Sequence, residues 1–205
     1  TMTSKTDTVL DVEGLRVYYQ TLKGRVKALD GTSFAIRRGE IIGVAGESGC
    51  GKTTFGRSLI LRKKPMVHIG GAARLNGEDL MSLPAEQMKK RRFAHISIIP
   101  QSAMESFSPT RTIRRFIADL VAEHGIKTDA RFFDKVRERF RFVNLDVSVL
   151  ERFPIELSGG MKQRVLMVIS TLLNPDLLIA DEITSALDVT SQRFVSNLLT
   201  QFRDR

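Results

Sequence analysis

The chain has 205 residues, 42% of them hydrophobic and 27% charged, with 32 Lys and Arg against 23 Asp and Glu for a net charge of +9. That is enough chain for one large domain with its own core, and too apolar a composition for a disordered segment. No apolar run approaches the roughly 20 residues that cross a bilayer, and the first ten residues lack the apolar core of a signal peptide, so a cytosolic chain is expected. The single Cys50 excludes an internal disulfide and a cysteine-based metal site. A basic surface attracts polyanions of several kinds, nucleic acid, membrane and nucleotide among them, so the charge does not choose a partner.

In chain order, "VLDVEGLRVYYQ" (9–20), "VKALDGTSFAI" (26–36) and "EIIGVAG" (40–46) read as short strands bounded by turn residues. A helix is expected from Lys52 to Leu61, where the glycines stop and helical spacing begins. The section from about 86 to 157 changes character: "TIRRFIADLVAEHG" and "DARFFDKVRERFRFVNL" carry apolar residues at helical intervals, which predicts a helical subdomain. It contains one dense basic run, "KKRRF" at 89–93, of the kind that commonly forms a solvated face. "MKQRVLMVISTLL" (161–173) is a further helix, "PDLLIADE" a short buried strand ending in two acids, and a last helix begins near "VTSQRFVSNLL" (189–199).

The chemistry concentrates at "GESGCGKTT", 46–54, placed between an apolar strand and a helix. This is a GxxxxGK[ST] loop. Gly46, Gly49 and Gly51 let the backbone curl so that successive N–H groups of Ser48, Cys50 and their neighbours point inward, and the helix start adds a field that favours anions. Lys52 would lie across the β- and γ-phosphates, the Thr53 hydroxyl would take Mg²⁺, and Thr54 continues the helix start. An acid at the end of a buried strand completes such a site. Asp181 supplies it, and Glu182, one step on, is where a carboxylate could orient or deprotonate an attacking water.

One feature resists a local explanation. "LSGGMKQR", 157–164, puts two adjacent glycines at the start of a good helical run, at a cost of about 1 kcal/mol each inside a helix relative to alanine. A serine N-cap accounts for Ser158 but not for Gly159 and Gly160.

The joint order "GESGCGKTT", Gln101, "LSGGMKQR", "LLIADE", "SALD" resembles the ATP-binding cassette (ABC) family over nearly the whole chain. The resemblance implies an α/β P-loop NTPase core with an N-terminal antiparallel β subdomain and an inserted helical subdomain. The core and β subdomain would span about 1–85 and 158–205, and the helical subdomain about 86–157. It further implies ATP with Mg²⁺, and two copies, alike or different, meeting head to tail so that Ser158, Gly159 and Gly160 of one cap the γ-phosphate held by the other. Gln101 matches the glutamine that contacts Mg²⁺ and the attacking water, and Asp188 the loop that couples the two sites. Tyr19 is the choice for the aromatic that stacks on adenine, with Tyr18 the alternative because strand register there is open.

Finer resemblance is to the peptide and nickel importer branch, carried by "NPDLLIADEITSALDVTSQ", Met161 and "SFSP" at 106–109. It implies an ATPase subunit on the inner face of the cell membrane, docked on integral-membrane permease subunits and served indirectly by a solute-binding protein, with no nucleic acid expected. The cargo is a peptide, with oligosaccharides or nickel as the branch's other options. The alternative is a soluble ABC ATPase acting on nucleic acid or ribosomes, but too few residues separate Lys52 from Gly159 for a coiled-coil arm. A small-molecule kinase would leave LSGG unexplained. Two departures stand out. Ile183 replaces the family's usual proline, and the histidine expected after a further strand has no candidate, because His68, His95 and His124 all precede Asp181. Either truncation or degeneration explains that, the intact front half favours truncation, and poor hydrolysis by this chain is the expected consequence.

Overall fold

The computed structural model describes residues 7–61, 63–101, 107–183 and 199–200. Asp188, and the helix expected near 189–199 apart from Leu199, lie outside them. The described residues up to Arg92 form one compact unit and those from Phe93 onward a second. No helix among the described residues is long and apolar enough to cross a membrane.

The first unit is built on an antiparallel sheet. β1 (Thr8–Thr21) and β2 (Gly24–Arg37) pair as a hairpin closed at Thr21 opposite Gly24. In β1, Leu10, Val12, Leu15 and Val17 are buried while Glu13 and Arg16 face out, the apolar–polar alternation of a half-buried strand. β3 (Met66–Leu75) covers the other edge of β1, and β4 (Glu78–Asp79) returns through Asn76-Gly77, both at positive φ as a tight hairpin turn requires. The order is β2-β1-β3-β4. Where β1 and β3 lose register, Gly71 at φ 79° lies so close to Gly14 that a Cβ there would be 2.2 Å from the Gly14 carbonyl oxygen. Helix α1 (Lys52–Ile60) buries Leu59 and Ile60, and Phe55 packs on Phe34 of β2 at 5.1 Å between ring centroids.

Two expectations are corrected in this unit. The run "EIIGVAG" carries no strand pairing among the described residues, and Ile41 and Val44 are 55% and 58% exposed. A continuous apolar run is a strand only where neighbours supply a ladder, and periodicity alone does not reveal that. The basic run is also more than a solvated face. In α2 (Ala85–Arg91), Arg91 forks onto Glu78 at 2.7 and 3.0 Å, and the Arg92 guanidinium donates to the Ile60 carbonyl at 3.0 Å, fastening the end of α1.

The second unit places helices on a two-stranded parallel sheet. β5 (Ile96–Ile99) and β6 (Leu177–Ala180) run from Ile96 opposite Leu177 to Ile99 opposite Ala180. Helix α3 (Ile113–Ala122) buries Ile113, Ile117 and Val121, one residue per turn, and α4 (Ala130–Phe142) buries Phe133, Val136 and Phe140. Both start where the sequence provides a cap: Thr112 Oγ1 accepts from the Arg115 N–H, and Asp129 Oδ1 from the Phe132 N–H at 2.9 Å. Helix α5 (Gly159–Thr171) is buried almost all round from Val165 to Thr171, as expected for the central helix of a unit.

Phe140, fully enclosed in this core, should cost about 3–5 kcal/mol when truncated to alanine. Asp129→Ala should cost about 1 kcal/mol through its lost cap. Guanidinium unfolding of the three proteins checks the ranking.

Candidate functional site

The candidate residues fall into two sets, one on each unit. In the first, α1 begins at Gly51 with φ 101°, no side-chain cap and no acid in its first turn. Gly51 cannot be replaced cheaply, because a Cβ would sit 2.5 Å from the Ala28 carbonyl oxygen of β2. Gly49 also has positive φ, at 82°, and a Cβ at Gly46 would lie 2.7 Å from Cys50 Sγ. Ser48, Gly49 and Cys50 are exposed. The Lys52 ammonium folds over this loop and donates to the carbonyls of Gly46 and Glu47, each at 2.8 Å. The loop therefore presents inward-turned backbone, one cation and an uncapped helix start, the donor set that suits a chain of phosphates.

Thr53 lies in the first turn of α1, partly buried, and Thr54 behind it is buried. The Thr54 hydroxyl is 3.1 Å from the Tyr19 hydroxyl. Tyr18, next along β1, is occupied elsewhere: its hydroxyl donates to Asp30 at 2.6 Å, and the Lys27 ammonium binds the same carboxylate at 3.0 Å. Those hydrogen bonds from Tyr18 and Lys27 hold the Asp30 carboxyl below its ordinary range, while the bond to Asp30 raises the Tyr18 phenol. Of the two tyrosines, Tyr19 is thus the one beside the phosphate-loop helix.

In the second unit the parallel ladder puts the ends of β5 and β6 side by side. Asp181 follows β6, is 8% exposed with Oδ2 shut off from solvent, and its N–H donates to the Ile99 carbonyl at 3.0 Å. A carboxylate this enclosed is a costly charge, and a hard cation is a fitting counter-charge for it. Glu182 is exposed and holds φ 48°, a left-handed conformation uncommon for a non-glycine residue. Gln101, two residues beyond Ile99, donates its amide to Glu182 Oε2 at 2.7 Å. Gln101 and Glu182, two of the residues expected to manage metal and water in this unit, are therefore in contact.

The LSGG segment is the third component. Ser158 is the N-cap of α5, its Oγ accepting from the Met161 N–H at 3.3 Å. Gly159 and Gly160 have no positive φ and nothing within 4 Å of a built Cβ. Among the described residues, neither backbone conformation nor crowding explains them. Sequence reading passed over Gln163, whose buried amide donates to the Ile183 carbonyl at 2.8 Å. The available signal was an amide placed three and four residues before Leu166 and Met167 in a largely apolar helix.

Comparison with known proteins bears on the family and the fold. The model of the ABC transporter family matches residues 29–185. Among curated relatives, a dipeptide transport ATP-binding protein of Caldanaerobacter subterraneus is 36% identical over 95% of this chain. An oligopeptide transport ATP-binding protein of Bacillus subtilis is 36% identical over 97%. The chain spans 61% of the length of each. Among solved structures, the dimeric structure of a bacterial ABC transporter cassette superposes with a TM-score of 0.84, covering 95% of this chain and 83% of the other at 22% identity.

The contrast between the glycines yields a stability test. Gly51→Ala should lower the unfolding free energy by about 1–3 kcal/mol through strain and collision. Gly159→Ala should leave it unchanged or slightly raised, since alanine is the better helix former. Thermal denaturation of both variants distinguishes them. With matching phosphate loop, acid-ended strand and LSGG helix, and a family model covering most of its length, the chain belongs to the ABC transporter family of ATP-binding cassettes.

Proposed function

We propose that this chain is the ATP-binding and ATP-hydrolysing part of an importer, with peptides as cargo. The observation that carries the reading is the start of α5, where two glycines stand in space that no described residue occupies. A bare helix start capped only by Ser158 is an anion site awaiting a ligand from outside, and the nucleotide of a second copy has the right charge. The solved neighbour is itself dimeric, and a related structure of that cassette is a post-hydrolysis state bound to ADP and Pi. The peptide assignment is supported by the names of the curated relatives, which are peptide transport proteins. It also supports a permease as partner and a place on the inner membrane face, rather than nucleic acid.

In this mechanism Lys52 leaves the carbonyls of Gly46 and Glu47 for the β- and γ-phosphates, and the N–H groups of Gly49 to Thr54 hold the phosphate oxygens. Tyr19 offers its ring to the base. Thr53, Asp181 and Gln101 would hold Mg²⁺, which neutralises charge building on the phosphates. Glu182 accepts a proton from the attacking water, and Gln101, already donating to Glu182, holds the carboxylate toward that water. Ser158, Gly159 and Gly160 of the partner copy close the site, and Asp188 couples the two sites.

Lys52→Ala should weaken ATP binding by at least about tenfold, read by nucleotide fluorescence titration. Gly159→Asp should leave ATP on the phosphate loop while hydrolysis in the complete protein falls by about a hundredfold or more. Equal affinity for Lys52→Ala, or normal turnover for Gly159→Asp, would contradict the assignment.

A further inference from the structure

Glu182 holds a backbone conformation that an L residue rarely keeps without outside support. Its carboxylate accepts the Gln101 amide at 2.7 Å, and the residues on either side constrain the backbone as well. On one side Asp181 is fixed by its ladder bond to the Ile99 carbonyl. On the other, Ile183 carries no ring to fix its φ, but it is buried in the core and its carbonyl accepts the Gln163 amide at 2.8 Å. Because the acceptor is a carbonyl, the donating atom of Gln163 has to be its nitrogen, which settles the orientation of the amide.

Gln163 is itself 7% exposed and stands on α5 next to Val165, Leu166 and Met167 of the core. A leucine or methionine would fill this space without the cost of burying an amide. The amide is therefore there for what it holds. We propose that Gln163 is a positioning residue for hydrolysis: through the Ile183 carbonyl it fixes the turn that aims the Glu182 carboxylate, so that the helix opened by the LSGG segment and the water-activating acid of the same chain move as one piece. The inference rests on the reading of Glu182 as the group that prepares the water. It adds a link within the chain between the helix start that meets a partner's nucleotide and the acid that serves its own. A displacement of α5 on contact with the partner is transmitted to the turn at Glu182 by one hydrogen bond.

The test uses the complete protein and three variants. Gln163→Met keeps the volume and removes the donor. Gln163→Glu is nearly isosteric and lacks the donor when ionised but regains an O–H donor when protonated. Glu182→Gln controls for the underlying reading. Gln163→Met should stay folded and keep ATP affinity close to wild type, with a melting temperature lowered by several degrees because the Ile183 carbonyl loses its donor, while kcat falls on the order of tenfold and KM changes little. Gln163→Glu should show a similar loss at alkaline pH that shrinks relative to wild type as the pH falls, a recovery that a filler of space would not show. Wild-type kcat in Gln163→Met with Glu182→Gln inactive overturns the positioning role alone. Wild-type turnover in Glu182→Gln overturns the reading on which it rests. Loss of ATP affinity or of folded structure in Gln163→Met, with no recovery at low pH in Gln163→Glu, would make Gln163 a packing residue and overturn the proposal.

Discussion

The parallel pairing of β5 with β6 is the constraint on which the chemistry of the second unit depends. Two parallel strands end at the same edge, so whatever follows each is delivered to one place. Here Ile99 stands opposite Ala180, and the residues that follow, Gln101 on one side and Asp181 and Glu182 on the other, meet with a 2.7 Å hydrogen bond. The ladder is short, and α5 braces it: Ser170 donates to the Ile98 carbonyl, and Gln163 to the Ile183 carbonyl. Helix and sheet edge thus share their polar contacts as well as their core.

Two helix starts in the chain carry glycines, for different physical reasons. Gly51 is required from within, because its φ of 101° and the Ala28 carbonyl leave no place for a side chain. Nothing among the described residues requires Gly159 or Gly160. A residue type that costs helix stability and relieves no internal contact is explained by an external one, and the shared electrostatics of helix starts indicates an anion. On this account one chain contributes a donor loop to its own nucleotide and a bare helix end to its partner's.

Much of this was legible in the sequence because the residues concerned act through their own backbone or position in a pattern. The phosphate loop, the acid-ended strand and the amphipathic runs of α3 and α4 needed only spacing and residue type. The strand expected at 40–46 failed because an apolar run does not reveal whether a neighbour pairs with it. Strand β3 went unnoticed because "MVHIGGAARL" interrupts its alternation with two glycines, of which Gly71 serves the close approach to Gly14. Tyr18 and Tyr19 could not be separated without register, which set one hydroxyl on Asp30 and the other on Thr54. Gln163 was invisible for a related reason: its meaning lies in a carbonyl twenty residues away in the chain.

The central claim is that the exposed start of α5 meets the phosphate loop of a second copy. Cys50 lies in that loop and is the chain's sole cysteine, so Ser158→Cys introduces one possible partner for it. Under mild oxidation the account predicts a disulfide-linked dimer from Ser158→Cys that disappears when Cys50→Ser is added, since a disulfide forms only when the two backbones come within about 7 Å. A chain that stays monomeric on a non-reducing gel, or that crosslinks equally well without Cys50, would contradict it.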